Sequence, residues 1–236
     1  MNRRTFVAAA TAGAVGASAG CLSGLIDDMT TFEASPIRVS EAAAGEAGYE
    51  YQGTTELVEE REFGGESVEV TNYLTEYTRT IDMPLDGFGE QPEAGVFAFV
   101  STPQVRVAGE DFNPVGDMSE AELAEYIQKQ YEQFELGDGI GGRAIQPDDI
   151  EGLDTIVSFQ SYEGTATLQG ETEIDVLLDI ARAEDSGDHL VVAAVYPDDS
   201  DLPMETERER ADTMTTGIQH GDDVEVDLQE DGESGE

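Results

Sequence analysis

Glu171-Thr-Glu-Ile-Asp-Val-Leu-Leu-Asp-Ile-Ala-Arg-Ala-Glu184 is the stretch that decides the fold. Ile174, Val176, Leu178 and Ile180 alternate with Glu173, Asp175, Leu177 and Asp179, and a period of two puts each set on its own face of a β-strand. One face therefore reads as apolar and the other as largely acidic and wet, the pattern of an antiparallel sheet with one side against a core. The neighbouring runs Ile156–Tyr162, Thr165–Leu168 and His189–Tyr196 are joined to it through Gln169-Gly170 and Ser186-Gly187. Links that short leave no room for a crossover, so these strands form an antiparallel meander.

Further upstream, Glu56–Phe63 and Glu66–Ile81 flank Gly64-Gly65, a pair that accepts positive φ at both turn positions and so reads as a β-hairpin. In its second arm Val68, Val70, Asn72 and Leu74 alternate with Glu69, Thr71, Tyr73 and Thr75. Tyr73 and Tyr77 thus lie on the face opposite Val70 and Leu74. Met83–Gly95 has the Pro and Gly content of a loop, and Val96–Val100 is a further apolar strand. Before the hairpin, Phe32–Val39 is extended and interrupted by Pro36, and Ser40–Gly48 is a short helix.

Ser119 and Glu122 make the S-x-x-E capping box, in which each side chain satisfies a free backbone N–H at a helix start. Leu123, Ile127, Tyr131 and Phe134 share one face of that helix, and Gly137 supplies its stop. A second helix is expected at about Pro203–Thr216, where Met204, Ala211, Met214 and Ile218 form a thinner stripe. The expectation is an α+β fold: an antiparallel sheet, built from an N-terminal hairpin and a C-terminal meander, covered by two helices.

The N-terminus reads as a targeting segment rather than as fold. Arg3 and Arg4 precede an uncharged, Ala/Gly-rich run from Thr5 to Ala19, and Ser18-Ala19-Gly20 sets small residues before Cys21. That layout is a twin-arginine export signal cleaved ahead of a cysteine, with Cys21 as the lipidation site. A membrane span needs about 20 predominantly apolar residues, more than this weakly apolar run supplies. The expected organisation is a signal peptide over 1–20, a lipid-anchored tether over 21–31, a single domain over 32–218 and a disordered acidic tail over 219–236. Localisation follows as extracytoplasmic, on the outer face of the cell membrane.

Composition adds a second constraint. The 236 residues carry 53 acids against 11 bases, a formal net charge of −42, with one Cys and no Trp. The tail over 219–236 holds eight of those acids, so the charge is spread over the body of the chain. Self-repulsion of that size raises the energy of the compact state, and about 1 M salt, with a Debye length near 3 Å, screens most of it. Nucleic acid is excluded as the expected partner, because binding it relies on Lys and Arg neutralising phosphates. The one cysteine forms no internal disulfide and sits where a lipid would go, which leaves no thiol chemistry.

The twin-arginine and lipobox start, the opening Phe32-Glu-Ala-Ser-Pro-Ile-Arg-Val39 and the segments Tyr162-Glu-Gly-Thr-Ala-Thr167 and Ala194-Val-Tyr-Pro197 resemble a family of haloarchaeal lipoproteins of unassigned function. The resemblance implies location and fold, not an activity. The order of elements also resembles the PsbP-like sandwich, with no shared motif.

Catalytic motifs fail on context. Gly16-Ala-Ser-Ala-Gly20 matches G-x-S-x-G but lies in the segment to be cleaved. Gly137, Gly139 and Gly142 match G-x-G-x-x-G yet follow a helix, whereas phosphate cradling needs a strand before and a helix after, so they read as a flexible loop. His189 and His220 read as solvent-exposed, with no nucleophile placed beside them by the sequence. Asp198, Asp199 and Asp201 are weak metal candidates, since hard cations take oxygen ligands in such loops; Arg210 stands where the last ligand of an EF-hand would be. No cofactor is expected.

Three classes remain. The first is a non-enzymatic envelope lipoprotein binding a protein or small-molecule partner, the second a solute- or cation-binding module of a transporter, and the third a hydrolase. A partner-binding protein calls for an exposed aromatic patch, for which Tyr49, Tyr51, Tyr73 and Tyr77 are candidates, although tyrosines at these positions also suit a sheet face beneath a helix.

Overall fold

A computed structural model describes residues 31–63, 66–80, 93–107, 110–111, 115, 118–130, 134–150, 152–168, 172–198 and 204–229. The strands are β1 (Thr31–Glu33), β2 (Ile37–Val39), β3 (Glu50–Phe63), β4 (Glu66–Thr80), β5 (Glu93–Pro103), β6 (Arg106–Val107), β7 (Glu110–Asp111), β8 (Phe134–Ile145), β9 (Val157–Leu168), β10 (Thr172–Asp185), β11 (Asp188–Pro197), β12 (Ile218–His220) and β13 (Leu228–Gln229). The helices are α1 (Glu41–Ala47), α2 (Glu120–Gln130) and α3 (Met204–Thr216). The result is an α+β fold with a mostly antiparallel sheet, as the period-two runs require.

The principal sheet runs β13-β3-β4-β5-β11-β10-β9-β8, with β1 pairing parallel to β4 alongside this path. Both hairpins take the register their turns impose: Phe63 faces Glu66, and Asp185 faces Asp188. β5 is the seam, pairing with β4 on one side and β11 on the other, so the N-terminal hairpin and the C-terminal meander become one sheet.

Both faces of β10 are covered. Ile174, Val176, Leu178 and Ile180 pack with Leu123 and Ala124 of α2, whereas Leu177, Ala181 and Ala183 join Ile37, Ala47, Ala211, Met214 and Ile218 on the side of α1 and α3. The expectation of a wet acidic face therefore holds at Glu173 and Asp175 but fails at Asp179, which is fully buried. In β4 the more buried phase is Thr71, Tyr73, Thr75, Tyr77 and Arg79, while Val70 and Leu74 are half-buried.

Among the described residues three helices, not two, cover the sheet, because the Ser40–Gly48 segment packs α1 against α3. Ser40 accepts from the Ala43 amide at its start, and Gly48 closes it at φ 77°, a left-handed position suited to glycine. α2 carries the expected capping box: Ser119 N donates to Glu122 at 2.9 Å and Glu122 N to Ser119 Oγ at 3.3 Å. Hydrogen bonds from the Ser119 amide and hydroxyl hold the Glu122 carboxyl below the usual range.

The segment after α2 departs from expectation. Gly137 does not stop a helix; Phe134–Ile145 is the edge strand β8, paired to β9 with register shifts around Gly139. Phe134 and Leu136 follow a strand period, and ladder hydrogen bonds to β9 outweigh the helical spacing of Leu123, Ile127 and Phe134. Tyr131 lies outside the described residues. Part of the acidic tail expected to be disordered is strand: β12 pairs with β2, and β13 pairs parallel to β3. Arg3, Arg4, Cys21, the Gly64-Gly65 turn, Asp199 and Asp201 lie outside the described residues.

Candidate functional site

Four consecutive strands and one helix each contribute one side chain to a buried polar cluster beneath α3. Asp179 of β10 is fully buried and accepts from three neighbours: Arg143 Nη1 of β8 at 2.6 Å, the Tyr196 hydroxyl of β11 at 2.6 Å, and the Ser161 hydroxyl of β9. Ser161 and Asp179 are register partners, which explains their approach. On the far side Arg143 Nε donates to Asp212 of α3 at 2.6 Å, and its guanidinium carbon stands 4.5 Å above the Phe159 ring. Three hydrogen bonds to one carboxylate and a guanidinium between two carboxylates make a charge that burial tolerates.

The titration behaviour follows from that packing. Burial pushes the Tyr196 hydroxyl far above its ordinary range, and the negative Asp179 beside it adds to the effect. For Arg143, burial opposes the charge, but Asp179 and Asp212 overcome it and keep the guanidinium firmly protonated.

This cluster opens onto a cavity of about 190 Å³ lined by Ile140, Gly141, Gly142, Arg143, Ser161 and Arg208. Two of its donors, Arg143 Nη2 and Arg208 Nε, are buried and have no hydrogen-bond partner among the described residues. Between Ile140 and Arg143 the wall from β8 is bare backbone. Gly141 adopts φ +124°, where a side chain would be strained, and a Cβ on Gly142 would lie 2.3 Å from the Phe159 carbonyl oxygen.

A second buried pair joins α3 to β4. Arg79 and Glu207 form an ion pair, with Arg210 Nε 3.6 Å from the same carboxylate and Arg210 Nη1 donating to the Ala47 carbonyl at 2.8 Å. Tyr49 packs beside them, and burial lifts its hydroxyl to about 12 against the pull of Arg79.

His220 is not exposed. Its side chain has 0 % exposure, Nδ1 lies 2.8 Å from Asp185 and Nε2 3.0 Å from Asp188, with the buried Ser101 hydroxyl 3.4 Å from Nε2. A Ser–His–Asp contact thus exists, but the nitrogen that would take the serine proton already faces a carboxylate. The exposed reading fails because β12 pairs with β2 and carries the ring inward. His189 is mostly covered as well, 3.5 Å from Glu184.

The other candidates divide. Asp198 is exposed at the end of β11, and no group of three or more His, Cys, Asp or Glu side chains is placed to hold a metal ion among the described residues. Tyr49 and Tyr77 are buried in the core shared with α1 and α3, Tyr51 is half-buried against that core, and Tyr73 is buried with its hydroxyl donating to Glu33 of β1 at 2.7 Å, so they form no exposed patch. A broader, shallower groove of about 630 Å³ lies by Arg38, Glu41, Asp223 and Glu225. There Arg38 is already engaged, donating to the Glu225 carbonyl at 3.1 Å and stacking 4.6 Å over Tyr51.

Sequence reading did not single out Asp179, Arg143, Ser161, Tyr196 or Asp212. The usable signal was Asp179 itself, a charge in the middle of Val176-Leu-Leu-Asp-Ile180, where burial on both faces demands a partner.

No curated protein sequence matches the chain. Among solved structures, the cyanobacterial PsbP (CyanoP) of Synechocystis sp. PCC 6803 is similar with a TM-score of 0.34 and 11% identity over 80% of this chain and 93% of that one. LpqN of Mycobacterium tuberculosis, described as involved in cell envelope biogenesis, is similar with a TM-score of 0.28 and 12% identity over 79% of this chain and 83% of that one. Residues 36–219, which span the sheet from β2 to β12 and all three helices, match the model of one family, and the chain belongs to that family, the domain of unknown function DUF6517.

Proposed function

We propose that the chain is a non-enzymatic extracytoplasmic lipoprotein of a halophilic archaeon, exported through Arg3 and Arg4, held at the outer membrane face through Cys21, and binding a partner or ligand there. The single observation that carries the non-catalytic part is the state of His220. A general base needs a free ring nitrogen within reach of the proton it removes. Here both nitrogens meet carboxylates, and Ser101 beside them is fully buried.

Location rests on the N-terminal layout and the acidic composition. A lipid contributes about 0.8 kcal/mol for each buried methylene, enough for two chains to anchor a protein that one would hold marginally. The test is fractionation of cells carrying Cys21→Ser. Release of the exported protein into the medium supports the anchor; retention on membranes overturns it. The solute-binding alternative draws support from the two unpartnered arginine donors at the cavity under α3.

A further inference from the structure

Arg143 and Arg208 both line one small cavity, and each has a buried guanidinium nitrogen with no hydrogen-bond partner among the described residues, in a chain with 11 basic residues against 53 acids. A buried donor left without an acceptor is costly and calls for one. We propose that this cavity binds the oxyanion head of a small solute, a carboxylate or a tetrahedral sulfate or phosphate. The proposal rests on the binding-protein reading above and names its ligand class and site.

Arg143 is held for that task rather than free to collapse onto a carboxylate. Asp179 takes Nη1 and Asp212 takes Nε, while Phe159 supports the plane of the group, so Nη2 is the remaining nitrogen. Asp179 is itself fixed by the Ser161 and Tyr196 hydroxyls, so the guanidinium rests on a second layer of hydrogen bonds. A donor fixed in place loses little freedom on binding.

Charge decides the class of ligand. Asp179 and Asp212 more than offset Arg143, and Arg208 restores the balance to neutral. Arg208 leans toward the Tyr196 hydroxyl and has no carboxylate partner among the described residues. A cation would meet two guanidinium groups, and an apolar ligand would leave Nη2 and Nε unpaired. An oxyanion satisfies both, and planar or tetrahedral oxygens suit the donors of arginine. Bare backbone at Gly141, with nothing within 4 Å of where a Cβ would be, leaves room for the head group, and Ile140, 40% exposed, offers an apolar wall for a short chain. The groove by Arg38 is a poorer site, since Glu41, Asp223 and Glu225 surround an arginine already in use.

The experiment is calorimetric titration of the folded chain with acetate, sulfate and phosphate as separate probes, at one fixed potassium chloride concentration. Saturable binding of at least one probe is expected, with affinity at least tenfold weaker in Arg208→Gln. Acetate as the preferred probe assigns a carboxylate ligand, and sulfate or phosphate assigns a tetrahedral one. Arg143→Gln is a poor first variant because it also strands Asp179. Arg208→Gln removes the approach to the Tyr196 hydroxyl but keeps the Arg143, Ser161 and Tyr196 hydrogen bonds to Asp179, and its fold is checked by circular dichroism. Absence of saturable binding by all three probes, or equal binding by Arg208→Gln, overturns the proposal. Failure here with Cys21→Ser still released from membranes removes the oxyanion site and leaves the envelope reading standing.

Discussion

His220 Nδ1 lies 2.8 Å from Asp185 Oδ2, and through this contact the strand that follows α3 is pinned to the turn between β10 and β11. Asp188, across that turn, faces Nε2 at 3.0 Å and accepts the Ser35 amide with the same oxygen at 2.8 Å. One imidazole therefore ties together three segments far apart in sequence.

The pair makes stability depend on pH in a defined direction. Burial would lower the His220 pKa, but hydrogen bonds to Asp188 and Asp185 outweigh it and the net shift is upward. A raised histidine pKa gives stability that is complete below the unfolded value near 6.5 and is lost as pH climbs through the folded value. For Asp185, burial pushes upward but hydrogen bonds from His220 and Ser186 win, so that contribution is present above about 3.8 and lost on acidification below it. Thermal unfolding followed from pH 5 to 9 should show a falling midpoint on the alkaline side, and His220→Gln should flatten that slope. An unchanged slope in the variant would assign the dependence to another group.

Asp179 supports a larger effect. Asp179→Ala leaves Arg143 facing the core with one carboxylate fewer and strands the Ser161 and Tyr196 hydroxyls, and breaking a buried pair this way costs about 3–5 kcal/mol. Tyr196→Phe removes one hydrogen bond to the same carboxylate and should cost about 1.5–3 kcal/mol. Chemical denaturation of both variants checks the order; no loss in Tyr196→Phe would mean that Tyr196 matters through packing alone.

Gly217 marks a close approach between the end of α3 and α1. A Cβ there would lie 2.3 Å from Ala43 Cβ and 3.0 Å from Ser40 Oγ, the residue that caps α1. Gly217→Ala should destabilise by about 1–3 kcal/mol, the usual cost of overpacking, and should shift α1 rather than the sheet. Hydrogen exchange would locate the loss of protection at residues 41–47 if this is right, and in β10 if it is wrong.

What the sequence made legible tracks what one periodicity can carry. The meander and the hairpin were readable because Ile174 to Ile180 and Val68 to Thr75 alternate cleanly between short turns. β8 was not, because Phe134-Glu-Leu-Gly-Asp-Gly-Ile-Gly-Gly carries too few side chains to show a period, and its pairing to β9 is a long-range fact. α3 showed a thin stripe because part of its inner face is polar: Glu207 is buried at 3% exposure against Arg79, and Asp212 reaches Arg143. The site was hidden for the same reason. Arg143, Asp179 and Asp212 look like surface charges until the two-sided covering of β10 brings them together.

That use of arginine bears on how the fold should respond to salt. The chain has 11 basic residues for 53 acids, and Arg79 and Arg143 are spent on buried pairs with Glu207, Asp179 and Asp212. Those two cations do little for the surface, so the exposed carboxylates repel one another with few opposite charges between them. Dissolved salt is then the available screen, and at about 1 M its Debye length of about 3 Å confines the repulsion to nearest neighbours. Far-UV circular dichroism across a potassium chloride series should show structure lost below roughly 1 M, with a midpoint that moves to lower salt as mild acid protonates carboxylates. Sodium chloride at equal ionic strength should give the same midpoint if screening is the cause, and a difference between the two salts would point to cation binding instead. Structure fully retained in dilute buffer would show that the two-sided core under α1, α2 and α3 outweighs the repulsion without help.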